Sequence, residues 1–465
     1  MDAFQAELVR RLPLAQATLA LFDYAIDAAF LQRVFQDNRG RCYERELPFC
    51  SLVQVLRDAL LVHDGSGNKS ITAAQEDGVV DVHHSSVYRK LANVPEDVSC
   101  AMLRDGTTRL GQVMASPARA LPPCVGSMQV IAMDGKEIKK LSKRLKMARK
   151  YTSGSLLGGK LLVALSLQSD LAVAMSCTPD GEANEVPLVP DLVKQVRELI
   201  AGSVLWMADR QYTDLDLFHL FTLRQDHFLI RCRKGISFEP DPARPPLEQK
   251  DAAGRRVVQE WGWLGAKKDK RRRYVRRITL YREDGDDVVL VTDLLEEQTH
   301  PGLELLELYL QRWGIERCFQ QVTEIFGLQK LIGSTPRAAI FQSAYCLLLY
   351  NVAQVVRSYA AVAGDKPVQE VSTENVFYDA TQELVCWAKL GDEAQMPVET
   401  PREPRAMRHW LTLLLADCWK DHWIKRADKK PRPKKQRKTL PGGHGSLWKL
   451  MCKAKHPHTT FANSC

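Results

Sequence analysis

The chain has 465 residues, a net charge of +9, and apolar and charged shares of 45% and 26%, room for two or three domains with a sizeable core. Its twelve cysteines are scattered without a Cys-x2-Cys pair, which excludes a zinc ribbon and a thioredoxin-like motif. The N-terminus lacks a charged-then-apolar leader and no apolar run approaches membrane-spanning length, so no membrane partner and a reducing cytoplasm are expected.

Residues 1–120 read as a helical N-terminal DNA-binding domain. Leu14–Phe35 and Leu47–Val62 carry apolar residues at helical spacing, and the Gly-containing stretch His63–Ser70 separates them from the next segment. A further helix is predicted from Val82 onward, with Ser85 or Ser86 as its N-cap. Its first turns display Tyr88, Arg89 and Lys90. That suits a recognition helix reaching base edges or phosphates as well as it suits a capped structural helix. His83 and His84 have no metal-ligand partners at suitable spacing and read as surface residues.

Leu121-Pro122-Pro123 opens an α/β core, whose first part runs over 121–226. The apolar run Met128–Met133 reads as a strand ending in Asp134-Gly135-Lys136. Leu161–Leu167 and Leu171–Cys177 read as the next two strands, Pro190–Ile200 as a helix, and Val204–Asp209 as a fourth strand, followed by Arg210. A carboxylate at the C-terminal edge of a buried strand lies where open α/β sheets place their ligands. Lys136, Lys139, Lys140, Lys143 and Arg144 make the stretch after Asp134 basic, which suits contact with a polyanion.

Residues 227–293 have β character at Phe228–Arg231, Arg255–Trp261, Tyr274–Tyr281 and Val288–Thr292, and read as a β-strand insertion. Lys267, Lys268, Lys270, Arg271, Arg272, Arg273, Arg276 and Arg277 cluster on it, denser than a routine solvated face, and predict a DNA-backbone contact surface. The second part of the core, 294–365, holds one predicted amphipathic helix with Leu303, Leu306, Leu308, Leu310, Ile315, Phe319 and Val322 on its apolar surface. Tyr309, Arg312 and Glu316 follow at intervals of three and four residues, so they share one face. Such a trio suits phosphate chemistry: the acid can hold a divalent cation while the guanidinium and phenol hold phosphate oxygens. With Asp134 and Asp209, Glu316 completes three hard oxygen donors, the set that magnesium or manganese prefers. Pro336–Tyr359 reads as a long apolar helix behind the sheet. Residues 366–465 read as a C-terminal helical region with a basic, proline-broken tail over Lys420–Lys438. Cys318, Cys346, Cys386 and Cys418 fall in apolar helical segments and are expected to be buried thiols.

Asp134-Gly135 closing a first strand, Ala208-Asp209-Arg210-x-Tyr212 on a later one, and Tyr-x2-Arg-x3-Glu within Arg312-Trp313-x-Ile315-Glu316 resemble the DDE transposases of the insertion-sequence-four family, from about Gln129 to about Ser358. The resemblance implies a ribonuclease-H-like catalytic core with a β insertion. It implies that Asp134, Asp209 and Glu316 are catalytic and hold two Mg2+ or Mn2+ ions about 3.5–4 Å apart. Tyr309, Arg312 and, more weakly, Arg210 would meet the scissile phosphate, with Lys136, Arg271, Arg272, Arg273, Tyr88, Arg89 and Lys90 as further DNA contacts. The implied partner is double-stranded DNA, both element ends and target, bound by a homodimer that pairs two ends near the bacterial nucleoid. One position departs from the family pattern, which has a lysine seven residues after the glutamate where this chain has Thr323. Some relatives stack a flipped base on a tryptophan of the insertion, but the strand before the helix holds Val288 and Val289, and Trp261 and Trp263 lie on an earlier one. A hairpin pathway is therefore not assigned. A stand-alone metal-dependent nuclease, and a DNA-binding derivative without catalysis, are the competing readings.

Overall fold

A computed structural model describes residues 10–44, 46–139, 155–283, 286–325, 330–390, 400–425 and 444–455, together with Glu7 and Leu328. Lys140, Lys143, Arg144 and the part of the predicted basic tail from residue 426 onward lie outside the described residues.

Strand β1 (Gln129–Glu137) is buried on both sides: Val130 and Ala132 face one apolar layer, Ile131 and Met133 the other. Strand β3 (Lys160–Ser166) pairs antiparallel with β1, and β4 (Ala172–Thr178) antiparallel with β3. On the other side β5 (Val204–Ala208) pairs parallel with β1, and β6 (His227–Arg231) parallel with β5. Then β11 (Val288–Thr292), β10 (Arg273–Leu280), β9 (Arg256–Leu264) and β7 (Phe238–Pro240) follow antiparallel, with β8 (Leu247–Lys250) also on β9. The result is one ten-stranded, mostly antiparallel sheet in the order β4-β3-β1-β5-β6-β11-β10-β9-β7. Strands β2 (Ser155–Leu157) and β12 (His444–Ser446) form a small parallel pair apart from it. The strands within 227–293 thus extend the central sheet edge to edge. Their backbone donors and acceptors find partners on the open side of β5, which would otherwise present an unpaired edge.

Helices cover both faces. Against one face lie α1 (Pro13–Ala25), α2 (Ala28–Asn38), α3 (Phe49–Leu61), α4 (Gly67–Glu76), α5 (His84–Asn93) and α6 (Glu96–Gly111). The same apolar layer holds α9 (Gly302–Leu310), α10 (Trp313–Glu324), α11 (Pro336–Ala363), α12 (Thr373–Lys389) and α13 (Pro404–Leu414). Helices α7 (Val189–Leu199) and α8 (Leu215–Phe221) cover the other face, and α14 (Leu447–Lys455) follows β12. The predicted helix Leu14–Phe35 is divided: Asp27 breaks it and caps α2, its carboxylate accepting from Phe30 N at 2.9 Å. Helix α5 is capped by the His83 ring, which accepts from Ser85 N at 3.2 Å, and not by either serine. Cys318, Cys346 and Cys418 are buried as expected, whereas Cys386 is exposed. The apolar side of α12 runs through Val376, Ala380 and Leu384, and Cys386 sits two residues off that line.

Helix α11 has 28 residues and a mean hydropathy of 1.4 in its most apolar window, long and apolar enough to cross a membrane, contrary to the expectation from sequence. That window is wholly buried inside the protein, as suits a core helix. Asn351 on α11 donates to Thr107 Oγ1 (2.7 Å) and Ala172 O (2.9 Å) and accepts from Ala172 N (2.8 Å), tying α6 and β4 to the central helix. Asn351→Ala strands these buried groups. We expect it to cost about 2 kcal/mol or more, read as a lower urea midpoint at unchanged slope.

Candidate active site

The β1–β5 register pairs Gln129 with Val204 and Ala132 with Met207; carried two residues on, it sets Asp134 level with Asp209. Met207 pairs in turn with Leu229 on β6, so Arg231 is the next member of the row. Ala132, Met207 and Leu229 all face the apolar layer that includes α10. Side chains alternate along a strand, so Asp134, Asp209 and Arg231 project toward that layer too.

The helical side of the site is not one helix. Between α9 and α10 the backbone tightens into three-residue bonds: Gln311 N to Leu308 O (3.0 Å), Arg312 N to Tyr309 O (3.1 Å) and Ile315 N to Arg312 O (3.0 Å). The break turns Leu310, expected on the apolar surface, out to solvent beside Trp313. The predicted trio still converges. Arg312 Nη2 donates to Glu316 Oε1 at 2.9 Å, Nη1 lies 3.6 Å from Asp134 Oδ2, and the guanidinium carbon is 5.7 Å from the Tyr309 ring. Tyr309 donates to Ala208 O at 3.3 Å, one residue before Asp209. Arg312 is only 5% exposed, yet its Nε and Nη1 have no hydrogen-bond partner, and neither has the buried Oδ1 of Asp209.

Burial pushes the Asp134 carboxyl up to about 6; Glu316 and Glu185 add to the rise, while Arg312 and the Gly135 N–H oppose it. Burial likewise pushes Tyr309 up to about 12, keeping it a hydroxyl donor at neutral pH. The Asp134 shift has a signed consequence for stability. Because its folded value lies above the ordinary 3.8, the proton favours the folded state. That contribution is complete below about pH 4 and lost as pH rises through 6, up to about 3 kcal/mol. In EDTA, Asp134→Asn is expected to gain stability relative to wild type across this window, measured by urea unfolding at a series of pH values.

Two residues at the site are absent from the sequence expectation. Glu185, just before α7, accepts from Tyr212 OH (3.0 Å) and Gln211 Nε2 (2.5 Å) and lies 3.5 Å from Lys160 Nζ. A Cβ on Gly135 would fall 2.0 Å from its carboxyl carbon, so glycine after Asp134 makes room for this fourth acid. Its neighbours come from separate segments, and no local motif marks it. The second is Arg231, whose signal was its place at the end of a predicted strand. With Arg210, Arg233, Lys234 and Arg277 it lines a cavity of ≈ 360 Å³ next to Asp209, whose lining acids are Asp286, paired with Lys234 at 2.8 Å, and Asp287. Lys136, two residues past Asp134 on the same face, places its ammonium 5.6 Å from the Phe319 ring. Thr323 turns its hydroxyl back to Phe319 O at 2.6 Å.

The remaining predicted contacts, Arg89 excepted, are engaged elsewhere. Arg271 pairs with Asp216 and Asp269, each at 2.9 Å; Arg272 pairs with Glu239 and lies 5.3 Å from the Trp263 ring; Arg273 donates to Thr222 at 2.8 Å. Arg276 is not on the surface: it is fully buried, bonded to Gln259 and paired with Glu297. Tyr88 donates to Asn68 at 2.7 Å, Lys90 is bonded to Leu47 O and lies 3.6 Å from Glu44, and Arg89 alone of the three is exposed.

Among the described residues no three His, Cys, Asp or Glu side chains stand close enough to hold a metal ion as they are. Arg312 lies between Asp134 and Glu316. The donor set nonetheless fits a hard divalent cation: the acids are oxygen donors, and Asp209 keeps a buried oxygen without a partner.

Residues 126–352 match the family model described as a transposase DDE domain. A probable transposase for insertion sequence element IS5377 from Geobacillus stearothermophilus is 23% identical over 279 residues, 59% of this chain and 67% of the relative. Both matches support a DDE transposase. A solved piggyBac transposase synaptic complex with hairpin DNA aligns over 97% of this chain and 91% of its own at 11% identity, with a TM-score of 0.38, too slight a likeness to bear on fold or function.

Proposed function

We propose that the chain is the DNA transposase of an insertion sequence, of the insertion-sequence-four kind, with a ribonuclease-H-like core. It would bind the element's terminal repeats and catalyse phosphodiester cleavage and strand transfer. The observation that carries the reading is the shared row: Asp134 and Asp209 level on adjacent parallel strands, facing Glu316 across Arg312. The order β4-β3-β1-β5-β6, antiparallel on one side of β1 and parallel on the other, supports the ribonuclease-H-like assignment.

Asp134, Asp209 and Glu316 would hold the divalent ions. When bound, such ions activate water or a 3′-hydroxyl as nucleophile and offset charge on the leaving oxygen. The chain's own residues orient the phosphodiester. Arg312 has two nitrogens free to donate to phosphate oxygens, and Tyr309 offers its hydroxyl from the same face. Arg231 and Arg210 extend a cationic track away from Asp209 for the DNA backbone. Lys136, packed over Phe319 one turn before Thr323, supplies a cation on the side where the family's lysine is missing. On this reading Lys136→Ala lowers cleavage about 10-fold or more, the loss of one charge-assisted contact, measured as a single-turnover rate.

The direct test is nicking and joining of DNA carrying the repeats that flank the gene, with magnesium and with EDTA. Magnesium-dependent nicking at the repeat ends followed by joining supports the proposal. Binding without cleavage would replace it with a DNA-binding derivative, and cleavage indifferent to the repeats with a nuclease.

A further inference from the structure

Behind α10, on the side away from Asp134, lies a second polar cavity of ≈ 390 Å³. Its cations come from four separate parts of the chain: Arg119 before β1, Arg317 on α10, Arg357 on α11, and Lys425 after α13. The acids lining it, among the described residues, are Asp170 and Glu307, which leaves an excess of positive charge. Asp170 is committed: it takes Arg119 Nε at 2.8 Å and Arg357 Nη2 at 3.0 Å. Arg357 is 4% exposed and its Nε has no partner. Among the described residues Arg317 and Lys425 form no salt bridge; the Lys425 ammonium donates to the Gln369 carbonyl at 2.5 Å and its backbone N–H to Glu370 O at 2.8 Å. Burial, with Arg357, Arg317 and Arg119 nearby, holds the Lys425 amine down at about 8. Gly314 allows the approach: a Cβ there would meet Arg119 Nη2 at 2.6 Å.

Arg119 and Arg357 are largely buried and share one buried acid, Asp170, while Arg317 and Lys425 are exposed; buried cations that outnumber their acids are costly unless an anion joins them. We propose that this cavity is a phosphate-binding site, distinct from the candidate active site, that takes either a backbone phosphate of bound DNA or a free phosphate-bearing ion. Arg317 follows Glu316 directly, so a phosphate held here fixes the helix that carries the candidate catalytic glutamate. The site does not depend on the transposase reading, because the groups that define it are separate from Asp134, Asp209 and Glu316.

Pyrophosphate is the probe, titrated calorimetrically into the full chain in EDTA. The variants are Arg317→Gln with Lys425→Gln, both exposed positions, and Lys69→Ala, an exposed cation that lines neither cavity, as the control. The double variant is expected to weaken pyrophosphate at least 10-fold or so while Lys69→Ala stays near wild type, two charge-assisted contacts being removed in the first and none in the second. A non-cleaved duplex then separates the sources. If the double variant also lowers duplex affinity and its salt slope by about 1–2, the phosphate belongs to DNA. If only pyrophosphate binding falls, the ligand is free. Pyrophosphate binding unchanged by the double variant, or lost equally in Lys69→Ala, or no binding of pyrophosphate to wild type together with an unchanged duplex affinity in the double variant, overturns the site.

Discussion

Replacing Glu316 by Gln is expected to lower cleavage and joining by more than about 100-fold, beyond what outer-shell partners of a metal site cost. The substitution is nearly isosteric, and an amide oxygen can still accept from Arg312 Nη2, now 2.9 Å from Glu316 Oε1. The break between α9 and α10 and the docking of Tyr309 on Ala208 should therefore survive. What disappears is one negative charge near Asp134, whose carboxyl is raised partly by Glu316. Stability in EDTA should hold or rise slightly while activity collapses, and a purely structural ion pair would not give that combination. Mn2+ affinity, followed by electron paramagnetic resonance, should fall alongside the rate, and Asp209→Asn should behave the same way. A Glu316→Gln protein that cleaves within a few-fold of wild type would remove the glutamate from the chemistry and leave Arg312–Glu316 as a helix-face pair.

The site was legible where its parts repeat at short spacing. Tyr309, Arg312 and Glu316 could be grouped from intervals of three and four, and the two strands ending in Asp134 and Asp209 from their unbroken apolar runs. The break at Gln311 was not legible, because Gln311 and Arg312 keep helical backbone angles and only their bonding shortens. Glu185 carried no signal at all, and Arg231 only its place at the end of a predicted strand, for another reason. Each joins the site through pairing with distant segments, β5 for Arg231 and Gly135, Lys160 and Tyr212 for Glu185. Arg276 shows the opposite error. Linear charge density put it on a basic surface, yet strand alternation points it inward, 5.6 Å from the Trp261 ring, where Gln259, Glu297 and the His300 carbonyl satisfy it. Charge counted along a sequence carries no record of which face of a strand it occupies.

Arg312→Ala separates two roles that wild type combines. The guanidinium lies between Asp134 and Glu316, and removing it leaves both acids facing each other, Asp134 in a buried setting. Breaking a buried pair from one side costs about 3–5 kcal/mol. The Glu316 side chain is 38% exposed, so solvent screening places the expected loss at the lower end of that range or below it. A divalent cation can then enter the space the guanidinium leaves. Magnesium should thus raise the melting temperature of Arg312→Ala more than that of wild type, where the guanidinium must first be displaced. Activity should not return with stability. The free Nε and Nη1 donors available to the scissile phosphate are gone, and losing one preorganised donor to a developing oxyanion costs about 100- to 1,000-fold. Arg312→Lys keeps a charge between the acids but not the planar fork, so it should recover most of the stability in EDTA and little of the rate. Melting curves with and without magnesium, set beside single-turnover rates for the same variants, check both halves. Equal magnesium stabilisation in Arg312→Ala and wild type would mean that the arginine does not stand where the cation binds.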